Sequence, residues 1–171
     1  PHPDTSNWVL RGDHLLARAT AHVPSQRAAF LYGKGCFLNR TGRAREALPV
    51  LSEATRLAEM DPSRQPFLGR ALAELAEAHR LTHNLRKARR LLVQARHLQR
   101  RLGCDGDLAG WTLLYRAKLE SRSEHAAPWL ERADRLLRQC RDSVGEVRCC
   151  LLKARFTREP ALLASLQGRI S

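Results

Sequence analysis

The sequence predicts an all-α protein built of antiparallel helix pairs. Three observations predict it. Apolar residues recur at helical spacing, and no window shows sustained alternation with β-branched residues. Aromatics make up only 5% of the 171 residues, low for a β-sandwich or barrel. Pro, Gly, Ser and Asn punctuate the chain and leave short loops, which join antiparallel neighbours. The apolar content of 43% suffices for the core of one ordinary domain or a short run of repeats.

Residues 1–6 are polar and Pro-rich and read as a linker. Ser6 is placed to cap a helix over about 7–21 that carries Trp8, Leu10, Leu15 and Leu16. Val23-Pro24-Ser25 ends it, because proline removes a helical donor. A second helix is expected from 26 to 39 or 40, Thr41-Gly42 makes the turn, and a third helix covers 43–59 before Asp61-Pro62-Ser63. Further helices are expected over about 66–81, 85–102, 107–121, 124–140, 143–156 and 160–169. Thr82-His83-Asn84, the Gly103 to Gly106 stretch, Ser121-Arg122-Ser123, Asp142-Ser143 and the stretch from Thr157 to Pro160 separate them. The expectation is nine helices and no strand, in a single domain over 7–171.

The helices repeat, and self-similarity decides architecture. Ala47-x3-Leu51-x2-Ala54 returns as Ala88-x3-Leu92-x2-Ala95 and as Ala126-x3-Leu130-x2-Ala133, at offsets of 41 and 38 residues. This spacing puts small, large and small residues on one helical face, so two helices approach at the alanines while Leu fills the space between. Gly35, Ala76 and Leu114 each lie 12 residues before the first Ala of their set, and Gly42 lies five before Ala47. A weaker echo stands at Ala161, Ser165 and Gly168. The rival reading is a generic Ala/Leu helical bundle. Repeated helix pairs cannot bury their apolar stripes alone, so stacking is expected to wind them into a right-handed superhelix, an α-solenoid.

Small residues at repeat positions 8, 20 and 27, Gly at 15 and a large apolar residue at 24 resemble the tetratricopeptide repeat (TPR) family. Gly35, Gly42, Ala47, Leu51 and Ala54 carry the pattern best. The second repeat has His83 where the turn glycine would stand, and the third has Leu114 at a position that is usually small. The repeats fall at about 26–62, 66–103 and 107–141, with partial units at 7–23 and 143–170. At about 40 residues they look like the extended arrays of bacterial multidomain ATPase regulators and some scaffold proteins. The resemblance implies a concave groove, lined by the first helix of each pair, that binds a partner peptide or helix. The residues it implies there are Ala29, Tyr32, Cys36, Asn39 and Arg40, then Arg70, Ala73, Glu77, Arg80 and Leu81, then Leu108, Trp111, Tyr115, Lys118 and Leu119. Aromatics and arginines are frequent interface anchors, and cations favour an acidic peptide. Tyr32 and Cys36 stand where the carboxylate clamp of chaperone-binding members needs Lys and Asn, so that activity is not implied.

The net charge is +13, and only Lys34, Lys87, Lys118 and Lys153 are lysines among 30 basic residues. Arg86, Lys87, Arg89, Arg90, Arg96, Arg100 and Arg101 crowd one helix, with Arg86, Arg90, His97 and Arg101 on one side. That face suits a polyanion such as a phosphate backbone. The competing reading is a solvated convex face whose methylene stems cover apolar surface.

No motif for catalysis stands out. Gly33-Lys34-Gly35 lacks the rest of a phosphate loop, and neither GxGxxG nor GxSxG occurs. His79 and His83 lack further ligands at zinc spacing, and His79 falls at an inward-packing position. The five cysteines, Cys36, Cys104, Cys140, Cys149 and Cys150, form no disulfide pattern and read as thiols of a reducing cytoplasm. No run reaches the ~18 apolar residues of a membrane helix. The missing initiator Met reads as a piece of a longer chain. The expected function is a protein-binding scaffold without enzymatic activity, cofactor or metal. A sensor module of a larger signalling or defence protein is one alternative, and nucleic-acid binding through the basic faces is a second.

Overall fold

The computed structural model describes residues 24–61, 65–103, 106–120 and 122–157. Among these residues the chain is all-helical, with seven helices and no strand: α1 (Pro24–Arg40), α2 (Ala44–Glu59), α3 (Gln65–Leu81), α4 (Leu85–Arg101), α5 (Asp107–Ala117), α6 (Ser123–Gln139) and α7 (Ser143–Thr157). The linker at 1–6, the helices expected over 7–21 and 160–169 and the echo at Ala161 lie outside the described residues.

The recurrent small-large-small set is buried in all three helices that carry it. Ala47, Leu51, Ala54, Ala88, Ala95, Ala126 and Ala133 are fully buried, and Leu92 and Leu130 nearly so. A Cβ on Gly35 would fall 2.4 Å from Leu51 Cγ, so α1 meets α2 with a glycine facing the large residue. In the third pair Leu114 is itself buried beside Leu130. The close approach there moves one turn back, to Gly110, whose added Cβ would meet Leu137 Cγ at 2.7 Å. Pro49 and Pro128, both exposed, each stand inside their helix two residues after the first Ala of the set.

The turns recur in the backbone as well. After α1, the Gly42 and Arg43 amides donate to the Asn39 and Leu38 carbonyls at 3.3 and 2.8 Å. After α3, His83 and Asn84 donate to Arg80 and His79 at 3.0 and 2.8 Å; after α6, Arg141 and Asp142 donate to Arg138 and Leu137 at 3.0 and 2.9 Å. This is the helix-ending arrangement that needs a left-handed residue. Gly42, His83 and Arg141 supply it, with φ of 78°, 63° and 56°.

The chain divides into two compact units, the first ending at Ala95 and the second starting at Arg96, so the division falls inside α4. In the first unit α1, α2 and α3 pack mutually. In the second α5, α6 and α7 do the same, around Leu113, Leu114, Leu130, Leu137, Cys149 and Leu152. No helix of the described residues is long and apolar enough to cross a membrane.

Candidate functional site

In the first unit, α1 and α3 present one face to each other. Tyr32 meets the Phe67 ring edge-on at 5.3 Å, and further along the pair the Asn39 amide donates to the Glu74 carbonyl at 3.1 Å and to its carboxylate at 3.3 Å. Asn39 is buried by this pairing. Burial, then the charges of Cys36 and Glu74, pushes the Tyr32 phenol well above its usual pKa. Burial, and then Glu74, pushes the Cys36 thiol up to about 12, which leaves it a poor nucleophile at neutral pH. Glu77 is buried and holds Arg80 through paired contacts at 2.7 and 3.1 Å. Arg40 and Arg70 are exposed. The Asn39–Glu74 contact spans 35 residues, and no local signal announces it.

In the second unit Trp111 and Tyr115 of α5, Lys118 just after it and Arg148 of α7 form a ladder. Trp111 is half-buried, and its indole N–H donates to Asp142 Oδ2 at 2.6 Å. Asp142 Oδ1 accepts from the Gly145 amide at 2.9 Å, so one carboxylate both caps α7 and fixes the indole. The Arg148 guanidinium lies 5.3 Å from the Trp111 ring centroid. The Trp111 and Tyr115 rings are 5.8 Å apart, and the Lys118 ammonium sits 4.8 Å from the Tyr115 ring. Tyr115 is buried, while Lys118 and Arg148 are half-buried. Cation–aromatic contacts of this kind order long side chains at a surface. Asp142 and Arg148 are contacts of Trp111 that sequence reasoning missed; Asp142 was legible only as a helix-breaking residue, and Arg148 lies 37 positions from Trp111.

The arginine-rich α4 sends Ala88, Leu91, Leu92, Ala95 and Leu98 inward and most of its cations outward. Arg86, Lys87, Arg89, Arg90, Arg100 and Arg101 are exposed, and Arg96 is half-buried. At the turn before α4, Gly42, Arg43, Ala44, Arg45, Glu46, Leu81, Thr82 and His83 line a cleft of about 450 Å³. His79 is buried, and burial followed by the Lys87 charge holds its imidazole below its usual pKa. His83 is exposed on the turn, so the two histidines do not share an environment. No group of three or more His, Cys, Asp or Glu among the described residues is arranged to hold a metal ion. Cys36, Cys140, Cys149 and Cys150 are free thiols; Cys104 lies outside the described residues.

Compared with protein-family models, with curated proteins and with solved structures, the chain matches none.

Proposed function

We propose that the chain is a tetratricopeptide-like helical-repeat module, stacked as a right-handed superhelix, that binds a protein partner with Trp111 at the centre of the contact. Recurrence supports the repeat: the same buried Ala-Leu-Ala face in α2, α4 and α6, the same left-handed turn after α1 and α3, and a glycine set against a leucine in two of the pairs. The observation that carries the binding reading is the state of Trp111. A half-buried tryptophan, held from one side by Asp142 and flanked by Arg148, is ordered before any partner arrives. An anchor fixed in advance loses little entropy on binding, and Trp and Arg dominate interface energetics. The cations of the ladder, Arg148 over Trp111 and Lys118 over Tyr115, favour an acidic peptide.

An array of peptides graded from acidic to basic, probed at low and high salt, tests this. Acidic peptides should bind, and Trp111→Ala should weaken them by about tenfold or more even at high salt. Asp142→Asn, which keeps the shape but removes the charge holding the indole, should give a smaller loss. Equal binding by the wild-type and Trp111→Ala chains, both shown folded by circular dichroism, overturns the reading.

A further inference from the structure

Across the described residues, arginines are commonly matched by an acid one helical turn away. Arg43 bonds Glu46, Arg56 bonds Glu53, Arg80 bonds Glu77, Arg116 bonds Glu120, and Arg138 bonds Asp134. Helix α4 breaks this pattern. Its 17 residues, LRKARRLLVQARHLQRR, include no Asp or Glu and a dense set of Lys and Arg. Helix α1 also lacks acids but carries fewer cations, of which Arg27 lies 3.8 Å from Glu53 on α2. Among the described residues, Arg86, Lys87, Arg89 and Arg90 are exposed and form no ion pair with any carboxylate. Helical spacing puts these four within one side of α4, because Ala88, Leu91 and Leu92 occupy the buried side. Like charges crowded into so short a stretch repel one another, and a helix surface gains nothing from them unless an anion answers.

The chemistry of the face selects the anion. It has no aromatic residue, and Val93 is its one exposed aliphatic side chain beyond the first residue of the helix. A protein partner is normally anchored by buried aromatic or apolar groups, which this face does not offer. It offers charge and guanidinium donors at close spacing, which is what a phosphodiester backbone takes. We propose that Arg86, Lys87, Arg89 and Arg90 of α4 form a nucleic-acid backbone site, distinct from the Trp111 ladder and read without regard to base sequence.

The test is fluorescence anisotropy with the full chain and a random-sequence DNA duplex of about 30 base pairs, across a salt series. Three to four phosphate contacts predict a loss of about a hundredfold in affinity between about 50 and 200 mM salt. The triple variant Arg86→Gln/Arg89→Gln/Arg90→Gln should lower the log–log salt slope by about 2 to 3, and Arg90→Gln alone by about 1. A control that removes the same charge elsewhere, Arg132→Gln/Arg135→Gln/Arg155→Gln, should leave the slope nearly as in the wild type. Equal losses in the two triple variants would show that only net charge matters and overturn the site. Absence of duplex binding by the wild type overturns it as well. So does equal or tighter binding to a poly-glutamate peptide or to vesicles with anionic headgroups at matched charge, which would make the natural partner a protein or a membrane.

Discussion

Gly33 and Gly35 stand two residues apart on α1 and obey different constraints. A Cβ at Gly33 meets nothing within 4 Å, whereas one at Gly35 would press into Leu51 at 2.4 Å. Leu51 is fully buried and has little room to yield. Gly33→Ala should therefore stabilise the chain by about 0.5–1 kcal/mol, since alanine replaces glycine in a helix interior with open space around it. Gly35→Ala should destabilise it by about 1–3 kcal/mol through overpacking. Opposite shifts in the urea midpoints of the two variants check both claims; an unchanged midpoint for Gly35→Ala means that α1 and α2 do not meet there. The pairing of Gly35 with Leu51 follows the spacing read in the sequence. The role of Gly110 does not, because a glycine one turn out of register carries no mark of being the close-approach residue.

At the scale of elements, most boundaries were legible. Pro, Gly and Asn mark them, and helices α1 to α4, α6 and α7 start and end within two residues of the positions expected from those signals. Helix α5 ends at Ala117, four residues before the expected 121. The Leu119 and Glu120 amides donate three residues back, to Arg116 and Ala117, so the chain tightens and leaves the α-helix. Lys118, Leu119 and Glu120 are all good helix formers, so propensity gave no warning. The left-handed residue at Arg141 was equally hidden, since it is not glycine, whereas His83 stands where the repeat pattern puts a turn glycine. Each carries a steric cost that glycine avoids. His83→Gly should raise stability by about 1 kcal/mol or less, after the greater freedom of glycine in the unfolded chain is discounted. Thermal melting checks this, and a lower melting temperature would show that the imidazole itself holds the turn. Of the candidate residues, Arg40 and Arg70 are exposed, and Trp111 is half-buried with its indole held by Asp142. Asn39, Glu77 and Tyr115 turn out to be buried, because charge and aromaticity in a sequence do not reveal which side of a helix a neighbour covers.

At the scale of the molecule, Asp134 of α6 ties α7 to it through Lys153 in the second unit. Burial pulls its carboxyl pKa upward, but the Lys153 ammonium at 2.8 Å and the Arg138 guanidinium at 3.1 Å outweigh burial and hold it below its ordinary value of 3.8. A depressed folded value means that the stabilisation is complete above the unfolded value and is lost as pH falls through the folded one. The stability difference between the wild-type and Asp134→Asn chains should be constant near neutrality and shrink as the solution is acidified below about pH 4. Urea titrations at a series of pH values measure it; a difference that does not change into acid would show that Asp134 is not charged in the folded state. Leu137 has a consequence of another kind. A Cβ on Gly110 of α5 would lie 2.7 Å from Leu137 Cγ, and one on Gly145 of α7 would lie 2.7 Å from Leu137 Cδ2. Two helix seams thus close over a single side chain of α6. In an ordinary stack each seam opens by itself and the end helix can peel away first. Here α7 cannot lift off α6 without uncovering the side chain that α5 also grips, so these three helices are built to come apart in one step rather than to unzip.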